Sequence, residues 1–232
     1  MPRMPRFFID GVPQHVIQRG NDRRAIFLER EDYLHFVAFL LSAARRHEAV
    51  IHAYVLMTNH VHLLMTPTTP TSVPKTMQST FSRFVTYFNT RHGRTGTLLE
   101  SRYKAAIVDD ENYLFACMRY IELNPVRAGL VPHPAEYRRS SFRANAFGTP
   151  DDLVTPHPAF RALGVSRDDR GTASAGLFRG AMPDADLDVI RDATQHAWAI
   201  GGKGFRERAS SSGRRAERLP SGRPRRSARG AG

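Results

Sequence analysis

A chain of 232 residues, 41% of them hydrophobic, can pack one domain with extensions but falls short of two full-sized domains. Lys and Arg number 34 against 22 Asp and Glu, and the resulting net charge of +12 selects a polyanion, nucleic acid first, as partner. The single cysteine, Cys117, excludes an intrachain disulfide and a cysteine-based zinc site, and reads as a small apolar helix residue.

No apolar run approaches the eighteen or so residues that cross a bilayer. The opening Met1-Pro2-Arg3-Met4-Pro5-Arg6 has no signal-peptide apolar segment. These features predict a cytoplasmic, nucleoid-associated protein without a membrane partner. More than half of the net charge lies late in the chain: positions 206 to 229 carry nine arginines against Glu207 and Glu217.

Gln14 to Arg19 alternates polar and apolar residues and stops at Gly20-Asn21, which predicts a strand and a turn with Arg19 and Arg23 at the strand end. Asp32 to His47 has Leu34, Val37, Leu40, Leu41 and Ala44 at helical spacing. Val50 to Met57 and His60 to Thr66 predict two strands joined by a tight turn at Thr58-Asn59. After Pro67 and Pro70, a helix over Pro74 to Arg91 carries the stripe Met77, Phe81, Phe84, Val85 and Phe88. Arg83 lies off that stripe, on a face that is either solvated or in contact with a nucleic-acid backbone. A fourth strand is expected over Tyr103 to Val108. The order β-α-β-β-α-β predicts an α+β protein with a ferredoxin-like core and an antiparallel sheet.

Asp109-Asp110 offer caps for a third helix through Tyr113, Leu114, Cys117, Tyr120 and Ile121, which Pro125 ends. Tyr120 and Asn124 are four apart and share a face of its last turn. Residues 143–157 read as a linker. A further helix from Asp184, with Leu187, Ile190, Ala193, Ala197 and Trp198, is closed by Gly201-Gly202 and is expected to dock on the main domain or lie against a bound strand. Residues 206–232 have too few apolar groups to fold alone.

His60 and His62 are one residue apart on a strand, so both imidazoles project from the same face. In isolation such a pair reads as two ordinary hydrogen-bonding histidines, and Tyr120 as a helix aromatic. Together they suggest chemistry. Neutral imidazoles bind divalent ions near pH 7, and Asn124 can add an amide oxygen if the third helix packs beside the third strand. Such a site polarises a phosphodiester. Tyr120 is then the natural nucleophile, although a tyrosine hydroxyl with a pKa near 10 is only about a thousandth ionised at neutral pH, a deficit of roughly 4 kcal/mol that a metal or base must offset.

Three runs carry a resemblance: Ala53-Tyr54-Val55-Leu56-Met57-Thr58-Asn59-His60-Val61-His62-Leu63-Leu64, Arg102-Tyr103-Lys104-Ala105, and Arg119-Tyr120-Ile121-Glu122-Leu123-Asn124-Pro125-Val126-Arg127-Ala128-Gly129-Leu130. With Gln14 to Asn21 they resemble the single-tyrosine HUH transposases, IS200-like, and most closely the REP-associated tyrosine transposases, over about residues 5 to 135. The resemblance implies that His60, His62 and Asn124 hold Mg²⁺ or Mn²⁺. It implies further that Tyr120 cleaves single-stranded DNA near a hairpin, keeping a 5′-phosphotyrosine and releasing a 3′-hydroxyl for rejoining. Thr58 stands where many relatives have proline, and Glu100, expected to be exposed, where many have glutamine.

On this reading residues 1–142 form an HUH transposase-like catalytic domain, 143–205 a linker and accessory helical region, and 206–232 a disordered Arg-rich tail. Arg19, Arg23, Arg83, Arg102, Lys104, Arg127, Arg223 and Arg225 are the expected DNA contacts. Gly222-Arg223-Pro224 with Arg225-Arg226 resembles the core of an AT-hook; the simpler alternative is a phosphate-binding tail acting by counterion release. Both a homodimer and a monomer fit. The alternative function is a non-catalytic, domesticated protein that binds repeated palindromic hairpins without cutting them.

Overall fold

The architecture is that of a computed structural model, which describes residues 8–109, 113–178, 180, 182–211 and 216. Its strands are β1 (Gln14–Arg19), β2 (Ala49–Met57), β3 (His60–Pro67) and β4 (Lys104–Ile107). They form one antiparallel sheet in the order β2-β3-β1-β4, as the ferredoxin-like arrangement requires. Register places Ile17 opposite His62, Arg19 opposite His60, and His15 opposite both Leu64 and Ala106. Alternation then puts His15, Ile17, Arg19, His60 and His62 on one face.

The other face carries the larger core. Val16, Leu56, Val61, Leu63 and Met65 pack under α1 (Arg30–Arg46) and α2 (Ser72–Arg91). Phe27, Phe36 and Phe84 meet at centroid distances of 5.2 to 5.3 Å, geometry worth about 0.5–1.5 kcal/mol per pair beyond the area removed from water. The α2 stripe is buried as expected at Met77, Phe81, Phe84 and Phe88, with Val85 partly buried. The α1 face is rotated from its expected position. Tyr33, Phe36, Leu40, Ala43 and Ala44 are buried and Leu34 is 56% exposed, because the aromatic rings remove more apolar surface than the leucine they displace.

Asp32, fully buried, accepts from the Leu28 and Glu29 amides at 2.7 and 3.0 Å and closes the α1 capping box. Burial alone would raise its carboxyl; those two amides and His92 outweigh it and hold the group below the usual carboxylate range.

The site-bearing face is covered by α3 (Leu114–Glu122) and by the later part of the chain. α3 stops earlier than its proline. Pro125 sits in the first turn of α4 (Asn124–Arg127), where its missing N–H interrupts the helical ladder. Of the expected caps, Asp110 lies outside the described residues. Asp109 accepts the Tyr113 amide through its backbone carbonyl at 2.9 Å, and the N-cap position is Tyr113, with no side-chain cap bond.

Residues 143–157 are more ordered than a linker. α5 (Phe142–Phe147) buries Phe142, Asn145 and Ala146, and α6 (Pro158–Arg161) begins at His157, whose ring accepts the Ala159 amide. Beyond α7 (Arg167–Leu177) comes α8 (Asp184–His196), which buries Leu187, Ile190, Ala193 and Thr194 against the sheet and α3. It ends at Ala197 in the left-handed region, φ 58°, four residues before the expected Gly201-Gly202 stop, because Trp198 turns back to bond Ala193 O at 2.8 Å. α9 (Lys203–Ser211) extends order into the expected tail, anchored by Phe205 and Ala209.

Both sheet edges are closed. Arg139 to Ser141 and Thr155 bond to β2, while Ile200 lies parallel beside Val108 at the end of β4.

Candidate active site

β3 begins at His60, directly after the Thr58-Asn59 turn, and that turn is pinned from the side. Gly20 N bonds Asn59 O at 2.9 Å, and Asn59 Nδ2 donates to Arg23 O at 2.9 Å. A carbonyl can only accept, so the Asn59 amide is oriented with Oδ1 toward His60 Nδ1, 2.6 Å away. His60 therefore carries its proton on Nδ1 and leaves Nε2 bare.

The His60 and His62 rings lie 5.0 Å apart with planes at 80°. Both are held neutral. Desolvation takes His60 down to about 4, assisted by Arg19 and opposed by a side-chain hydrogen bond with Asn124. His62 is lowered well below its ordinary value, chiefly by desolvation and then by His15, His60, Arg127 and Arg19. α3 and α4 bring the remaining two expected residues to the same place. Tyr120 meets His62 edge-on at 5.7 Å, and Asn124 reaches His60.

Arg127 lies with its guanidinium carbon 4.4 Å from the Tyr120 ring centre and donates to Tyr120 O, so the helix end clamps the tyrosine from behind. In front lies a cleft of about 520 Å³ lined by His15, Ile17, Arg19, His62 and Tyr120 from the core, and by Asp188, Arg191, Asp192, Thr194, Gln195 and His196 from α8.

His15 and Thr194 join the site from outside the sequence expectations, while α8, expected to dock on the main domain, does so as a wall of the cleft. His15 is fully buried, 2.8 Å from His62 and 5.6 Å from the Tyr120 ring centre. Thr194 bonds His15 at 2.8 Å, and α8 forms one wall of the cleft. The strand alternation that pairs His60 with His62, applied to β1 beside β3, finds His15 as well. Nothing local in the sequence points to Thr194.

The expected DNA contacts divide into four groups. Arg19, Arg23, Arg102 and Lys104 line a groove of about 310 Å³ that continues the cleft through Arg19 and Gln195, and Glu100 is exposed along it. Lys104 Nζ donates to Gln195 Oε1 at 2.7 Å. Arg127 stands behind the tyrosine. Arg83 is not brought to the site: it lies on α2, 4.3 Å over the Phe39 ring, across the sheet from Tyr120. Arg223 and Arg225 lie outside the described residues.

The donor set fits a divalent cation. Among the described residues no three or more His, Cys, Asp or Glu are gathered as a metal site, so His60 and His62 need a donor of another kind, and the Asn124 amide beside His60 is one. Also among the described residues, no helix is long and apolar enough to cross a membrane.

No curated protein matches the chain. A solved REP-associated tyrosine transposase bound to a REP hairpin has the same fold, with a TM-score of 0.52 at 19% identity over 67% of this chain and 92% of that one. A Deinococcus radiodurans R1 protein crystallised as a candidate transposase aligns at 20% identity over 47% of this chain and 88% of that one, with a TM-score of 0.37. The family described as "Transposase IS200 like" matches residues 9–124, half of the chain, and spans both histidines of β3, Tyr120 and Asn124. This chain belongs to the IS200-like transposase family.

Proposed function

We propose that the protein is a metal-dependent DNA strand transferase that nicks and rejoins single-stranded DNA near hairpins through a 5′-phosphotyrosine. The observation that carries this reading is the meeting of Tyr120 with His62 at 5.7 Å, at one cleft, with Asn124 on His60. Mg²⁺ or Mn²⁺ held by His60 Nε2, His62 and Asn124 would supply Lewis-acid polarisation of a phosphate oxygen.

The chain's own groups do the rest. Arg19 and Arg102 draw the phosphates along the groove, where one strand passes without its complement. Arg127 fixes the phenol ring so that its oxygen approaches phosphorus in line. The bond from Tyr120 Oη to phosphorus forms as the bond from phosphorus to the 3′-oxygen breaks; the phenol gives up one proton to water and the departing oxygen takes one from water, so that it leaves as a hydroxyl. Attack of a 3′-hydroxyl on the phosphotyrosine reverses the step and rejoins the strand. The hairpin carried by the REP-associated neighbour supports a hairpin partner here, with the basic groove running from the cleft as the place for the single strand beside it. Arg223 and Arg225 would add sequence-independent phosphate contacts.

The test is a denaturing-gel assay of full-length protein with Mn²⁺ and labelled single-stranded hairpin oligonucleotides taken from palindromic repeats. A covalent adduct is expected with the parent chain and none with Tyr120→Phe. An undiminished adduct in Tyr120→Phe overturns the nucleophile. Hairpin binding with no adduct from the parent under any divalent metal replaces the reading with a non-catalytic DNA-binding protein.

A further inference from the structure

An imidazole can offer a cation only the nitrogen that carries no proton, so His62 depends on what holds its other nitrogen. That partner is His15, and behind it stands Thr194. Thr194 Oγ1 donates to Ile190 O, one turn earlier in α8, at 2.7 Å. A hydroxyl has one proton, so with that proton spent the same oxygen is an acceptor toward His15 Nδ1 at 2.8 Å. His15 is buried with no exposed surface, where an imidazolium without a carboxylate partner would be costly. With its one proton on Nδ1, His15 presents a bare Nε2 to His62 Nδ1, 2.8 Å away, the two ring planes within 13° of parallel.

We propose that Thr194 and His15 are positioning residues that hold His62 as the Nδ1–H tautomer, with the Nε2 lone pair presented to the catalytic cleft. The proposal rests on the reading of His62 as a metal ligand, and it gives His62 the arrangement that Asn59 gives His60. It also assigns a role to α8, which lies beyond the family-matched residues 9–124. The accessory helix is then part of the active site as well as its cover. Reversal of the chain of bonds, with Thr194 donating to His15, would leave His62 protonated on Nε2 and unable to ligate through it.

The test is a long-range ¹H–¹⁵N spectrum of the full, metal-free chain with labelled histidine. The expected result is a protonated Nδ1 and a bare Nε2 on His62; a protonated Nε2 overturns the proposal. Thr194→Val keeps the shape and removes the hydroxyl, and it should mix or reverse the His62 tautomer and weaken Mn²⁺ binding, read by electron paramagnetic resonance, about 10- to 100-fold. Thr194→Ser should restore both. A lower melting temperature in Thr194→Val with an unchanged His62 tautomer marks a packing role and overturns the relay. A tautomer that responds as expected in a parent chain that binds no Mn²⁺ upholds the relay and removes the metal reading instead. The parent spectrum decides the tautomer even where Thr194→Val does not fold.

Discussion

Arg127 donates from Nη2 to the carbonyl oxygen of Tyr120 at 2.5 Å while its guanidinium carbon lies 4.4 Å from the centre of the same tyrosine's ring. Seven residues apart in sequence, the two are joined twice, once through the backbone and once through the ring face, across the break that Pro125 makes in the helix.

Arg127→Ala should therefore release both the helix end and the phenol. A partly buried cation over a ring and a charge-assisted hydrogen bond together amount to about 2–4 kcal/mol. Denaturant unfolding is expected to show a loss of that order, and single-turnover adduct formation should slow tenfold or more. Arg127→Lys should recover only part of either, because an ammonium cannot hold the carbonyl and cover the ring with one planar group.

Glu122, between Tyr120 and Asn124 in sequence, faces the opposite way. It is fully buried and accepts from Ser141 Oγ at 2.5 Å and Asn145 Nδ2 at 2.7 Å. Burial raises its carboxyl from 4.5 to about 7, against the pull of those two bonds. A carboxyl raised in the folded state contributes stability that is complete below pH 4.5 and is lost as pH rises through about 7. Glu122→Gln keeps an acceptor for both partners and removes the ionisation. It should exceed the parent by about 3 kcal/mol at pH 8 and match it near pH 4.5, measured by urea unfolding at each pH. Buried His52, lowered to about 4 chiefly by desolvation, acts in the opposite sense, losing stability as pH falls from 6.5 toward 4, and cancels between the two chains.

The difference between the two faces of the sheet gives a third prediction. Arg19→Ala and Arg102→Ala should each weaken single-stranded DNA binding and reduce the slope of log K against log salt by about 0.7 per lost phosphate contact. Arg83→Ala, made on the far side over Phe39, should leave both affinity and slope unchanged.

Gly20 sits where β1 leaves the sheet. A Cβ there would clash with the Arg24 carbonyl oxygen and lie 2.8 Å from Ile26 Cγ2. Gly20→Ala should displace the loop that carries Arg23 and pins Asn59. A loss of about 1–3 kcal/mol in thermal or denaturant stability is expected, with DNA binding weakened as Arg23 moves.

The strands, the two large helices and the Thr58-Asn59 turn were legible because each carries its own period: alternation in β1 and β3, a phenylalanine stripe in α2. The α1 face was misread where Leu34 and Tyr33 compete, since helical spacing alone does not rank a leucine against a ring that stacks on Phe27 at 4.2 Å. The segment around Asn145 read as a linker because its order comes from distant partners, Glu122 and the His52 carbonyl, which no local pattern records.

The sequence by itself determined the ferredoxin-like core, because strand alternation and helix spacing are local, and it offered His60 with His62 and Tyr120 with Asn124 as two short motifs far apart in the chain, which only the packing of α3 and α4 on β3 brings together. Only the tertiary structure decided that His15 and Thr194, 179 residues apart, stand behind His62, and that Arg83 stands away from the site. The reason is physical: a hydrogen bond's direction and a side chain's neighbours depend on how sheet and helices pack, and packing joins residues whose separation in sequence carries no period.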